Sequence, residues 1–117
     1  MNFQQAVTAH TGWKMKVARY LSCPDGSLQA VVVRQGHRCE LGKWLHGEGK
    51  TFEHLPEYQK LVEDHARLHE SASELIRRTN TGETLRSETA MGDRSPYGLA
   101  ARALVSSLRG LQARTGL

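Results

Sequence analysis

The sequence has few aromatic residues and no long apolar segment. Of its 117 residues, 6% are aromatic and 38% are hydrophobic. No apolar run approaches the roughly 20 residues that a transmembrane helix needs, and the N-terminal residues lack the apolar core of a signal peptide. We therefore expect one domain over residues 1–117, cytoplasmic and without a membrane segment.

A large excess of charge of one sign is also missing. Sixteen lysines and arginines oppose 12 aspartates and glutamates, which gives a formal net charge of +4. The basic residues are interleaved with acidic ones rather than gathered into one stretch. This pattern is typical of solvated helix faces, and it predicts no nucleic-acid binding.

Cysteine is scarce: Cys23 and Cys39 are the only two, and they do not form a CxxC pair. A structural disulfide is not expected in a cytosolic protein, so each cysteine should be a free thiol or a metal ligand. Cys23 precedes Pro24 in a segment of turn residues and is most simply an incidental thiol.

Apolar residues that recur every three or four positions predict helices rather than strands. Residues 28–33 could form a short strand, but with no second strand candidate they are better read as an extended or helical connector. The fold class that we predict is all-α, a four-helix bundle with an additional short helix that carries a cysteine ligand. The four principal helices are expected at about 2–21, 56–78, 83–91 and 95–111, and the short one at 36–47.

Cys39 should lie in the first turn of that short helix. A helix N-terminus and the neighbouring Arg38 would both favour the thiolate, the form of cysteine that binds metals and reacts with oxidants. Cys39 is therefore a candidate ligand and a candidate redox-sensitive residue.

The helix at 56–78 carries His65 and His69 one turn apart, on the same face as Leu61 and Leu68. Two imidazoles at this spacing can bind one metal ion, although each could instead hydrogen-bond a neighbouring helix. The acidic residues of this helix, Asp64 among them, are expected to point away from the apolar face.

His10 lies in the apolar stripe of the first helix and adds a third imidazole. With the Cys39 thiolate, the three histidines match a closed tetrahedral zinc site. Four protein ligands leave no position for a reactive water, so we predict no enzymatic activity and no catalytic residues. A di-iron site of the haemerythrin or ferritin type would need inward-facing carboxylates, which the apolar stripes lack.

Four sequence elements together resemble the chemoreceptor zinc-binding (CZB) domain. They are His10-x-x-Trp13, Cys39-x-Leu41-Gly42-x-Trp44, Leu55-Pro56 and His65-x-x-x-His69. The resemblance implies zinc (Zn²⁺) bound by His10, Cys39, His65 and His69 in a helical bundle.

The same resemblance implies a sensor of zinc or of oxidants such as hypochlorous acid. It further implies a bacterial regulatory domain, often a homodimer, that signals to chemotaxis or cyclic-di-GMP machinery through a chemoreceptor or diguanylate cyclase partner. The alternative is a structural zinc module that only supports an interaction or dimerisation. Leu99, Val105 and Leu117 are apolar residues that could be surplus to a monomer's core.

Three further residues are candidates for the surroundings of the site. Trp13 and Trp44 are expected to form apolar walls, with indole N–H groups that need partners. His37, two residues before Cys39, could support a ligand or replace Cys39 after oxidation.

Overall fold

The computed structural model describes residues 2–36 and 39–117. These residues form helices and no strands, which confirms the predicted all-α class. The elements in order are α1 (Phe3–Ser22), α2 (Ala30–Val33), α3 (Glu40–Leu45), a 3-10 helix (Glu48–Phe52), α4 (Pro56–Asn80), α5 (Ser87–Ala90) and α6 (Pro96–Thr115). None of the helices in this part of the chain has the length and apolar character needed to cross a membrane.

The long helices begin at residues whose chemistry suits a helix start. The Asn2 side chain accepts the Gln5 N–H at the start of α1, and the Ser95 side chain accepts the Gly98 N–H at the start of α6. Pro56 opens α4, where its missing N–H costs nothing because the first helical N–H groups have no intrahelical partner. Local sequence chemistry therefore sets where α1, α4 and α6 begin.

Helix α4 is the centre of the bundle. It packs most extensively against α6, and α1 and α2 also lie against it. Its apolar stripe is fully buried and meets the buried leucines of α6. The main buried residues of the two helices are Leu61, Leu68, Ala72, Ile76, Leu104, Leu108 and Leu111.

The expected fourth principal helix at 83–91 is reduced to the single turn of α5. Gly82 adopts a φ of +102°, and the four residues after it are irregular. Arg86 provides no side-chain cap for α5. Leu85 and Met91 are the only large apolar residues of the segment, so no stripe is available to stabilise a longer helix. The bundle therefore rests on three long helices rather than four.

Residues 28–33 form a connector, not a strand. Its last four residues make the single turn of α2, which packs against α4. The connector is fastened to α4 by two hydrogen bonds, from Ser73 Oγ to the Ala30 carbonyl (3.0 Å) and from Asn80 Nδ2 to the Leu28 carbonyl (2.9 Å). These bonds supply the backbone partners that a strand would have taken from a sheet.

Asp64 is buried, contrary to the expectation that it points away from the core. Only 2% of the residue is exposed, and its carboxylate accepts hydrogen bonds from Ser107 on α6 and from Lys60 and Arg67 on α4. Burial alone would raise the pKa of Asp64. Hydrogen bonds from Lys60 and Ser107 and the charges of Lys60 and Arg67 outweigh that effect and hold the pKa below its ordinary value.

Substitution Asp64→Asn should lower the free energy of unfolding at neutral pH by about 1–3 kcal/mol, because the amide cannot replace the charge-assisted bonds between α4 and α6. A carboxylate with a lowered pKa stabilises the fold above its unfolded-state pKa and loses that effect as pH falls through the folded-state pKa. The difference from wild type should therefore shrink below about pH 4. Urea unfolding of both proteins across this range is the measurement.

The exposed neighbour Glu63 offers a matched control. Glu63→Gln removes the same charge one residue away and should change the stability far less. Equal losses in the two variants would show that the Asp64 contacts do not stabilise the helix pair.

Candidate metal centre

Four side chains that can bind metal converge where α1, α3 and α4 meet. His10 comes from α1, Cys39 immediately precedes α3, and His65 and His69 come from α4. One ligand-type atom of each residue lies within 4.8 Å of those of the other three, and Cys39 Sγ is 3.1 Å from His65 Nε2. This spacing is close to what bonds of about 2.0–2.3 Å to one shared ion require.

Hydrogen bonds orient two of the imidazoles toward the cluster. His10 Nδ1 lies 2.8 Å from the Ala6 carbonyl and His69 Nδ1 lies 2.9 Å from the Val33 carbonyl. A carbonyl only accepts, so each Nδ1 carries the proton and each Nε2 keeps its lone pair. His69 Nε2 is buried and has no hydrogen-bond partner within residues 2–36 and 39–117. A buried nitrogen held in this way suits a metal ion.

The histidines are held in the neutral form that binds metals. Burial lowers the pKa of His10, His65 and His69. The effect is largest for His65, where burial and then the charges of His69, His10 and His46 lower the pKa to about 3. All three imidazoles are consequently neutral near pH 7, and no proton must leave them when a metal binds.

Cys39 does not behave as expected from its sequence position. It is the N-cap of α3 rather than a first-turn residue, and its Sγ accepts the Gly42 N–H at 3.3 Å. Burial raises the pKa of the thiol and outweighs the lowering by the Gly42 and Leu41 N–H groups. Among the described residues, burial therefore outweighs the helix N-terminus that was predicted to favour the thiolate; Arg38, the other group in that prediction, lies outside them. A bound cation would supply the charge that favours the thiolate.

The family model of the chemoreceptor zinc-binding domain matches residues 10–76. The chain belongs to the CZB family. The matched region starts at His10 and contains Cys39, His65 and His69, so the cluster of three imidazoles and one thiol fits the zinc site that the family's description implies. No curated protein and no solved structure matches the chain significantly.

Gly36 lies close to the ligands of this CZB site, whereas its place in the sequence predicted only a helix boundary. A Cβ built on Gly36 would lie 3.1 Å from His69 Cδ2 and 3.2 Å from His65 Cε1. Only glycine lets the backbone at position 36 pass this close to the two rings. The available signal was a glycine three residues before the candidate cysteine ligand.

The two tryptophans occupy different positions around the centre. Trp13 lines a cavity of about 400 Å³ that His10, Cys39 and His69 also line. Its Nε1 is buried and has no partner among the described residues. Trp44 instead packs against the rings of Phe3 and Phe52, at centroid distances of 5.7 and 6.2 Å. His37 and Arg38 lie outside the described residues.

The donor set does not suit a carboxylate-bridged di-iron centre. The cluster contains no Asp or Glu, and the carboxylate of Asp64, though buried, is bound to Ser107, Lys60 and Arg67. Imidazole and thiolate ligands favour zinc over the oxygen-rich sites of iron bundles.

Substitution Gly36→Ala should weaken zinc affinity about tenfold or more, because the added methyl group would displace the His65 and His69 rings. Competition with a chromophoric chelator measures this. Gly110→Ala on α6 is the matched control, since its Cβ would meet nothing within 4 Å. The control should keep full zinc affinity and gain up to about 1 kcal/mol of stability from the better helix former. Unchanged affinity in Gly36→Ala would remove this glycine from the site.

Proposed function

We propose that this CZB domain is a non-catalytic sensor in which His10, Cys39, His65 and His69 hold one zinc ion, and that oxidants or zinc availability set its state. The observation that carries the proposal is the double role of Cys39. Its Sγ belongs to the metal cluster and also caps α3 by accepting the Gly42 N–H. A chemical change at this sulfur therefore acts on the metal site and on a helix at once.

When bound, zinc would supply the positive charge that keeps Cys39 deprotonated and would link α1, α3 and α4. The carbonyls of Ala6 and Val33 hold the His10 and His69 rings in place for this role. With four protein ligands, no coordination position is left for a substrate or a reactive water. This is the argument for a regulatory rather than a hydrolytic zinc site.

Oxidation would act on Cys39 because it is the soft ligand of the four. The Cys39 thiolate attacks the chlorine of hypochlorous acid, and hydroxide leaves with the electron pair of the O–Cl bond; water then attacks the sulfur of the sulfenyl chloride, and chloride and a proton leave. The resulting sulfenic acid is neutral and a poor metal donor, so three imidazoles would remain to hold the ion. A thiol reductant can reverse this step, whereas further oxidation cannot readily be reversed.

The signal would leave the site through α3 and the connector before it. Helix α3 has six residues, too few to be stable alone. The Val33 carbonyl of the connector bonds the His69 ring, and the backbone at Gly36 passes close to the His65 and His69 rings. Loss of the metal should loosen this segment while α4 and α6 remain packed. A chemoreceptor or a diguanylate cyclase in the cytoplasm is the class of partner that we propose reads this change; neither a membrane nor a nucleic acid is required.

Chelation of zinc should speed hydrogen exchange at residues 39–45 well before it affects the centre of α4, because the metal links the short helix to the bundle. Hydrogen–deuterium exchange with mass spectrometry, before and after a chelator, measures this. Helix α5 is an internal control, since it is also short, with four residues, and contributes no residue to the cluster. Unchanged protection at residues 39–45 would contradict the coupling of metal and α3.

Hypochlorous acid should release zinc in step with oxidation of Cys39, and a thiol reductant should restore binding. The Cys23→Ser variant is the matched control: Cys23 is exposed and outside the cluster, so its loss should leave the release unchanged. Mass spectrometry of each cysteine and a zinc dye follow the two events. If Cys39 is oxidised while zinc stays bound, or if Cys23 takes up the oxidant and Cys39 stays intact, the alternative of a structural zinc module is favoured.

We also propose that the domain forms a homodimer. Of the three apolar residues predicted to be surplus to a monomer's core, Leu99 on α6 and Leu117 are 56% and 53% exposed, and Val105 is half-buried; a second copy of the chain would cover them. Sedimentation equilibrium over micromolar concentrations should show a dimer that Leu99→Asp weakens, because the carboxylate would have to be buried at the contact. Glu88→Gln on α5 is the control substitution; Glu88 is exposed, and its replacement should leave the dimer unchanged. A monomer throughout this range would contradict the proposal.

A further inference from the structure

A second cavity lies between α1 and α6, and it shares the candidate ligand His10 with the cavity beside Trp13. It has a volume of about 510 Å³, within the range of small-molecule sites. Its apolar lining consists of Val7 from α1 and Ala101 and Val105 from α6, which are half-buried, together with three leucines that are each about 1% exposed. The α1–α6 groove, as we call this cavity, offers a ligand an apolar floor whose accessible surface comes from Val7, Ala101 and Val105.

The rim of the α1–α6 groove is basic. Lys14 lines it from α1, and Arg102 and Arg109 line it from α6. The two arginines are seven residues apart, so they share one helix face and lie about 10 Å apart along the axis. No acidic residue lines the groove, and none of the three cations forms an ion pair within residues 2–36 and 39–117. Three unpaired cations around an apolar floor favour an anionic occupant.

Tyr97 contributes a buried hydroxyl without a partner. Tyr97 is among the residues that line the groove, it is 1% exposed, and its hydroxyl makes no hydrogen bond to the described residues. An unsatisfied buried hydroxyl in a folded protein calls for an explanation such as a bound molecule or water. This observation is independent of the charge at the rim.

We propose that the α1–α6 groove binds an amphipathic anion, with an alkyl chain against the apolar floor and a carboxylate or sulfonate at the basic rim. The apolar floor accounts for the chain, and Lys14, Arg102 and Arg109 account for the charge. A plain hydrocarbon would leave the rim cations without counter-charge. A small inorganic anion would leave the apolar floor exposed to water.

Isothermal titration of the full zinc-loaded chain with decanoate, acetate and decanol tests the proposal. Decanoate should bind saturably with one site per chain, and acetate should bind at least about tenfold more weakly because it lacks the chain. The double variant Arg102→Gln/Arg109→Gln should lose about tenfold in decanoate affinity and leave decanol affinity unchanged. Both arginines are exposed, so the variant should keep its fold.

The matched control is Arg19→Gln/Arg94→Gln, which removes two exposed arginines outside the groove and should bind decanoate like wild type. Equal binding of decanoate and acetate would overturn the proposal, as would equal affinity in the two double variants. The proposal would also be overturned if decanoate did not bind and the amides of Val105 and Arg109 were protected from hydrogen exchange only in the dimer. A second copy of the chain would then occupy the groove.

Discussion

Three neutral imidazoles and one thiol packed at a single helix junction are the constraint on which this CZB domain depends. Buried polar atoms without partners are costly, at about 1–3 kcal/mol each. Backbone carbonyls satisfy the outer nitrogens of His10 and His69, but the inner nitrogen of His69 has no partner in the described residues. One tetrahedral ion would satisfy all four side chains together. Zinc is the ion that this donor set fits.

The same junction accounts for the connector between α1 and α4, because residues in and after this connector support or form the metal site. The connector at residues 28–33 lies against α4, where Ser73 and Asn80 hold it by hydrogen bonds. The connector supplies the Val33 carbonyl, and the residues after it supply the close approach of Gly36 and the Cys39 thiol. Metal binding and connector position are therefore linked, and by reciprocity each must influence the other. Such a link is the physical requirement for a sensor.

Much of this arrangement could be predicted because it depends on local spacing. The i, i+4 pair of His65 and His69, the apolar stripe around His10 and the turn chemistry at Pro56 and Ser95 are all visible in the sequence. The buried position of Asp64 could not be predicted, because its partner Ser107 lies 43 residues away on another helix. The burial of Cys39, which raises the pKa of its thiol against the effect of the adjacent helix N-terminus, likewise depends on packing that local spacing does not show. Helix α5 is shorter than predicted because its segment has no apolar stripe to pack against the bundle. Helix propensity alone does not take this missing packing into account.

The most direct test of the account is metal analysis of purified protein with and without the histidine pair. Wild type should contain close to one zinc per chain and little iron. The variant His65→Ala/His69→Ala should lose the zinc, and His46→Ala/His54→Ala, which removes two exposed histidines outside the cluster, should keep it. Stoichiometric iron in the wild type, or full zinc retention without His65 and His69, would contradict the assignment of this centre.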